Sequence, residues 1–339
     1  MQELVDKYAD KLVAAGLADP GAPLVGGLDA DLVWNRDDSV CAELEQVFAG
    51  LNINSLLCAS PAEPYGTIIE YLARQSDGAV TPSDCETRTM MHDLPVAAAF
   101  DAAAIVGALS QHKSVIIPGV GGASYADGDT PVVVTWGTVS PEQAFVFFSS
   151  VCFACFVKFF ADYLVDARRG TVSARQQQVF EATVPHLDPL PETPPELMQG
   201  PFADEEEVYR AIIEAGRRTV EYRLVDSFFG NVSYRRDNTL YISQTGSSLD
   251  ELEGCIDPCP LDGSSCAGIT ASSELTAHRE IVQSTGMQAV LHGHPKFSVI
   301  LSMDCQKEDC AFRGQCHIKC REPRFVRDIP IVPGEVGTG

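Results

Sequence analysis

The stretch Ala289–Leu301, AVLHGHPKFSVIL, places two histidines one residue apart in an otherwise apolar run, just before a proline. In a strand, residues two apart share a face, so His292 and His294 are expected to project side by side. Gly293 leaves the opposite face uncrowded. Pro295 has no N–H to give to a ladder and marks the strand's end or an edge. Two neutral imidazoles at such an end are good ligands for a borderline-soft divalent metal. Spacing alone also allows a hydrogen-bonded histidine pair in a polar rim, because HxH is a common pattern.

Working upstream, the chain reads FFGNVSYRRDNTLYISQTG, then LDG, then GITASSELTAHREIV. The order GNVS, a strand closing on TG, SSE with a histidine four residues later, and HGHP resembles the class II aldolase/adducin family. The resemblance runs from Glu205 to Met303 and agrees in order and spacing at four motifs. It implies an α/β fold of three α/β/α layers around a mainly antiparallel central sheet. It also implies enzymes that cleave or epimerise phosphorylated sugars with a bound divalent metal, usually zinc. Carried over residue by residue, His292 and His294 would be metal ligands and Glu274 the catalytic acid/base. Gly230-Asn231, Thr245-Gly246 and Ser272-Ser273 would hold the substrate phosphate.

Physical chemistry is compatible with those roles. Backbone N–H groups near glycine and at a helix start attract anions even in an acidic protein. Ser272 and Ser273 stand where an N-cap belongs, and the bland reading of SSE is an ordinary cap. Glu274 in the first turn is favoured as an anion unless burial raises its pKa. His278, one turn further on, shares its helix face and is either a partner of the site or a partly exposed surface residue.

The pattern stops short. The family's third histidine belongs to a later strand in a His-Gly context, whereas this sequence ends at IPIVPGEVGTG with no histidine after His317. Either the chain is a fragment or another segment completes the site.

The prolines of VPHLDPLPETPPELMQGPF exclude a regular helix or central strand, so residues 184–202 read as a linker between 1–183 and 203–339. The halves look related. NSLLCASPAEPYGTIIEYL before the linker parallels QAVLHGHPKFSVILSM after it, which sets Cys58 and Ser60 in the places of His292 and His294. Residues 1–183 therefore read as a degenerate copy without metal ligands, and the chain as a tandem of two related domains. The first half also holds HKSVIIPGVGG, VVVTWG and a helix opened by Ser140-Pro141-Glu142-Gln143, the strand-turn-strand-helix closure usual in the family. Ser140 and Gln143 have capping-box spacing. His112, His92 and His186 read as exposed or loop residues.

Lys and Arg number 24 against 47 Asp and Glu, a formal charge of −23. Such a chain repels phosphate backbones and anionic lipid, which argues against nucleic-acid or membrane partners. The apolar run AFVFFSSVCFACFVKFFADYLV is broken by Lys158 and Asp162 and is expected as a buried helix. With no export signal at its start, the chain is expected in the cytoplasm, where its twelve cysteines stay reduced.

Four of those cysteines, Cys305, Cys310, Cys316 and Cys320, fall in one loop beside His317 and Gly314. They form a candidate second metal site for structural zinc or an iron–sulfur cluster, with free thiols the alternative. Lys307, Arg313, Lys319, Arg321, Arg324 and Arg327 surround them. Cys255, Cys259 and Cys266 could bind metal or pair with the later cluster. Cys152 and Cys155 read as packing residues.

The resulting expectation is a zinc- or other divalent-metal-dependent aldolase that cleaves a small phosphorylated hydroxyketone or sugar through an enediolate, working as a homo-oligomer. The same chemistry serves a sugar-phosphate epimerase. A non-catalytic adducin-like assembly module is the reading from another class.

Overall fold

The computed structural model describes residues 1–119, 130–187, 189, 193–225, 229–264, 269–307, 309–312 and 315–332. Cys266, Arg313, Gly314, the side chain of His317 and the stretch PGEVGTG lie outside the described residues. The chain divides into two compact units, Met1–Asp188 and Pro189–Gly339.

In the first unit the order is α1 (Gln2–Ala14), β1 (Leu24–Leu28), β2 (Leu32–Trp34), α2 (Cys41–Gly50), β3 (Ser55–Ala59) and α3 (Tyr65–Gln75). There follow β4 (Ala79–Val80), α4 (Cys85–Met91), β5 (Leu94–Pro95), α5 (Ala102–Leu109), β6 (Ser114–Ile117), β7 (Val132–Gly137), α6 (Pro141–Arg169) and α7 (Ala174–Thr183). Five strands make an antiparallel sheet in the order β2-β1-β3-β7-β6. Strand alternation divides it into two faces. Leu24, Leu56, Cys58, Val115 and Val134 pack against Leu44 and Val47 of α2 and Ile105 and Leu109 of α5. The opposite face receives α6, where Thr135 Oγ1 donates to the Ala144 carbonyl at 2.7 Å. Helices on both faces of one antiparallel sheet give the expected three layers.

Helix α6 is apolar all round because it packs on the sheet and against α1 and α3 as well. It is long and apolar enough to cross a membrane, and 89% of its most apolar stretch is buried inside the protein. Pro141 fits its first turn, and Gly170 ends it in the left-handed region at φ 69°. The expected capping box does not form. Ser140 gives no side-chain cap, while Gln143 Oε1 accepts from Thr138 N at 2.8 Å. His112 is partly buried rather than exposed, with its Nδ1 enclosed and its carbonyl accepting from Trp136 Nε1.

In the second unit α8 (Glu205–Glu221) starts at Asp204, whose carboxylate accepts from Glu207 N at 2.9 Å. Val208, Ile212, Gly216 and Thr219 form its buried stripe. Then come β8 (Asn231–Arg236), β9 (Thr239–Ser243), β10 (Ile256–Pro260), α9 (Leu275–Thr285), β11 (Ala289–His292), α10 (Lys296–Met303), α11 (Cys316–Lys319), β12 (Arg324–Val326) and β13 (Ile329–Ile331). The sheet is antiparallel in the order β10-β9-β8-β11. One face meets α8, where Tyr209 stands edge-on to Tyr241 with centroids 5.6 Å apart. Ile242 and Cys259 on the other face cluster with Ala271 and with Leu275 of α9.

Both sheets repeat one local plan. A strand pairs with its hairpin partner and with the strand that follows the next helix, in registers Leu24↔Cys58 and Asn231↔His292. They differ at the next position. β3 is paired on both sides and buried throughout, whereas among the described residues β11 pairs only with β8 and is half-exposed.

Phe148 is fully enclosed in α6. Phe148→Ala should cost about 3–5 kcal/mol of first-unit stability, read by chemical denaturation.

Candidate functional site

The site grows from the pairing of β8 with β11. Asn231 and His292 are opposite partners in the ladder, so their side chains share a face, and Ser233 lies on it too. That face looks toward α9, which carries Glu274 at its N-cap and His278 one turn along. Asn231 Nδ2 lies 3.3 Å from His292 Nδ1, and Ser233 Oγ 2.7 Å from His278 Nδ1.

Two glycines permit this approach. Gly230 has φ 87°, and a Cβ there would strike the His292 carbonyl oxygen. A Cβ on Gly293 would stand 2.9 Å from the Leu224 carbonyl oxygen.

His294 meets its neighbour by a route different from the expected one. The strand ends at His292, and Gly293 and His294 leave it before Pro295 caps α10. Even so, the rings of His292 and His294 lie 4.8 Å apart at 42°, with Phe229 5.5 Å from the His294 ring. The turn into α10 therefore does what strand periodicity was expected to do.

Burial sets the charge state of these rings. It pushes His294 down to about 3, with the neighbouring His292 adding to the effect. Burial also lowers His292, against the opposing pull of the Glu274 carboxylate. His278 falls to about 4 for the same reason, with a smaller push from His292. All three imidazoles are thus neutral near pH 7, the state that offers a lone pair. The charges felt by His292 bring Glu274 and His278 into one electrostatic neighbourhood with it.

Ser272 and Ser273 are knitted to the turn after β9. Ser272 N donates to Ser243 O at 3.0 Å, and Ser273 N to Thr245 Oγ1 at 2.9 Å. Thr245 N donates to Thr270 O, and Glu274 N to Ser272 Oγ at 3.2 Å. The N-cap position falls on Glu274 rather than on either serine, one residue later than the sequence suggests. Thr245, Gly246 and Ser273 face solvent, while Asn231 is 5% exposed with its amide on His292. The exposed trio and the buried asparagine thus have different surroundings.

Among the described residues, no three His, Cys, Asp or Glu side chains stand where they could hold a metal ion. The histidine pair offers two donors. A buried oxygen, Asn231 Oδ1, has no hydrogen-bond partner beside it. Neutral paired imidazoles fit a divalent cation chemically, and the open oxygen beside them is an acceptor for the outer ring nitrogen of His292.

His278 is the residue that sequence left undecided, and it is 2% exposed. Its signal was present, because Glu274 and His278 are four apart on α9 while Asn231 and Ser233 are two apart on β8. Cys305, Cys310, Cys316 and Cys320 all line one cavity of about 600 Å³. Cys259 belongs to the core cluster beside Ile242 and not to that cavity. Cys152 and Cys155 are buried in α6 as expected, and burial pushes the Cys155 thiol up to about 12.

Gly230→Ala should destabilise the second unit by about 1–2 kcal/mol from the left-handed backbone alone, and by more from the clash. A melting curve of the variant against the parent measures it. His278 is held at about 4 when folded and titrates at about 6.5 when unfolded, so the unfolded chain binds the extra proton between those values. Its contribution to stability is full above 6.5 and falls as pH drops toward 4. His278→Asn should flatten that acid limb in unfolding experiments.

No curated protein matches the chain. Among solved structures, L-fuculose-1-phosphate aldolase from Thermus thermophilus is 14% identical, over 49% of this chain and 96% of its own, at a TM-score of 0.39. L-fuculose 1-phosphate aldolase from Glaciozyma antarctica is 15% identical, over 53% and 84%, at 0.33. YgbL of Klebsiella pneumoniae, a putative aldolase/epimerase/decarboxylase, is 24% identical, over 29% and 48%, at 0.27. The family model for the class II aldolase and adducin N-terminal domain matches residues 210–338, the stretch that contains every residue of the site just described. Over those residues, the chain is similar to the class II aldolase and adducin N-terminal domain.

Proposed function

We propose that the second unit is a divalent-metal-dependent aldehyde-lyase that acts on a small phosphorylated hydroxyketone or sugar. The observation that carries the reading is the neutral pair His292/His294, with rings 4.8 Å apart, within the field of the Glu274 carboxylate. His292 and His294 would hold the metal, zinc being the natural choice for imidazole donors. When bound, it supplies electrophilic stabilisation of negative charge on substrate oxygens.

The chain's own groups do the rest. Exchanging the two ends of the Asn231 amide would set Oδ1 against a protonated His292 Nδ1. That satisfies the open oxygen and presents Nε2 as a lone pair. Ser233 fixes the His278 ring in the same way and keeps a neutral imidazole behind His292. Glu274 takes and returns a proton at the reacting carbon or its hydroxyl. Thr245, Gly246 and Ser273, adjacent and exposed, receive the phosphate, with Ser272 holding the turn that presents them. The first unit is a relative that carries Cys58 in the register position of His292. It has no ligand pair there and contributes packing. The homo-oligomeric state and a cytoplasmic location belong to the same reading.

The test is aldehyde release from a panel of sugar phosphates. Glu274→Gln should lower kcat by about 10²–10⁴-fold with metal content unchanged. His292→Ala/His294→Ala should remove both the metal of this site and turnover. Stereochemical exchange at the reacting carbon without aldehyde would point to epimerisation. Neither metal nor turnover in the parent protein would leave the assembly-module reading.

A further inference from the structure

We propose that Cys305, Cys310, Cys316 and Cys320 form a thiolate site for one structural zinc ion, which holds together the segment after α10. The proposal is independent of the histidine pair.

The first support is the absence of a core. From Leu301 to Val332 no described residue is buried, and Phe312, Ile318, Phe325 and Ile329 are exposed. Among its described residues, the segment holds the four-residue α11 and the two-stranded β12–β13 ribbon. So short a stretch cannot order itself on apolar burial and needs a cross-link, either a disulfide or a metal.

The second is convergence. All four sulfur-bearing side chains line the single cavity of about 600 Å³, although 15 residues separate the first from the last. Cys316 opens α11 and Cys320 is its C-cap residue, and Cys320 N donates to Cys316 O at 3.1 Å, so the two thiols flank one turn. None of the described cysteines is in a disulfide.

The third is charge. Four thiolates around a divalent ion carry two net negative charges, which need nearby cations. Lys307 lies close enough to Cys310 and Cys320 for both to act on its pKa, after the larger effect of its bond to Glu322. Arg321 and Arg324 line the same cavity, together with the carboxylates Asp304, Asp309 and Glu322, so the cations stand within a mixed rather than a positive lining. On binding, each thiol gives its proton to solvent, the ion stays divalent and no electron moves.

The sulfurs are not yet at tetrahedral spacing, since no three donors among the described residues could hold an ion. Closing that gap is the ordering step the metal would drive, and a segment with no buried side chains can move at little cost.

The experiment uses the full chain purified without chelator, in the His292→Ala/His294→Ala background, so that metal of the histidine site does not contribute. Zinc is measured by elemental analysis. One zinc per chain is expected, retained in that background and lost on adding Cys316→Ser/Cys320→Ser. Because the serine variant could misfold, cobalt(II) is also exchanged into the unmutated protein. Intense visible ligand-field bands with thiolate-to-cobalt charge transfer are expected. No zinc in the His292→Ala/His294→Ala background, a cobalt spectrum without charge transfer, iron with inorganic sulfide, or an intact mass showing cysteines paired as disulfides would each overturn the proposal.

Discussion

The second unit depends on one contact, the antiparallel pairing of β8 with β11 that sets Asn231 across from His292. Backbone hydrogen bonds fix the register, and a one-residue slip of β11 would turn His292 to the opposite face from Asn231. Gly230 makes the approach possible, since any side chain there would meet the His292 carbonyl. Site geometry and sheet geometry are therefore one constraint. The imidazoles stay where a metal or substrate could use them only while the edge strand remains zipped.

The same pairing explains the electrostatics. A chain with a formal charge of −23 would be expected to protonate its histidines readily. Here burial opposes that field and keeps His278 and His294 neutral. At His292 desolvation likewise outweighs the Coulomb attraction of the Glu274 carboxylate. Acidic surface and neutral imidazoles coexist because the low-dielectric wall is local and the negative charge is spread and screened.

Much of this was legible in the sequence. Alternating patterns pointed to the strands, the GNVS, SSE and HGHP order pointed to the family whose model matches residues 210–338, and HxH pointed to the ring pair. Three details were hidden, each for a physical reason. His294 lies past the strand end because Pro295 starts a helix rather than ending a strand quietly. The cap falls on Glu274 because Ser272 N is already bonded to Ser243, a contact between residues 29 apart that local pattern cannot reveal. His278 is buried because Ser233 meets it across 45 positions. Propensity reads neighbours in sequence, and all three outcomes were settled by neighbours in space.

Helix α6 has a consequence for the chemistry of the whole molecule. Cys152 and Cys155 are enclosed among phenylalanines, and the latter is a thiol that ionises only at about pH 12. Such sulfurs are inert toward alkylating reagents while the fold persists, because only the thiolate attacks. The partly exposed cysteines beyond α10 have no such shelter. Native protein therefore separates its sulfurs into a silent, buried class, with Cys58, Cys152 and Cys155 in the first unit and Cys259 in the second, and a partly exposed class that includes Cys41 and Cys85 as well as those beyond α10.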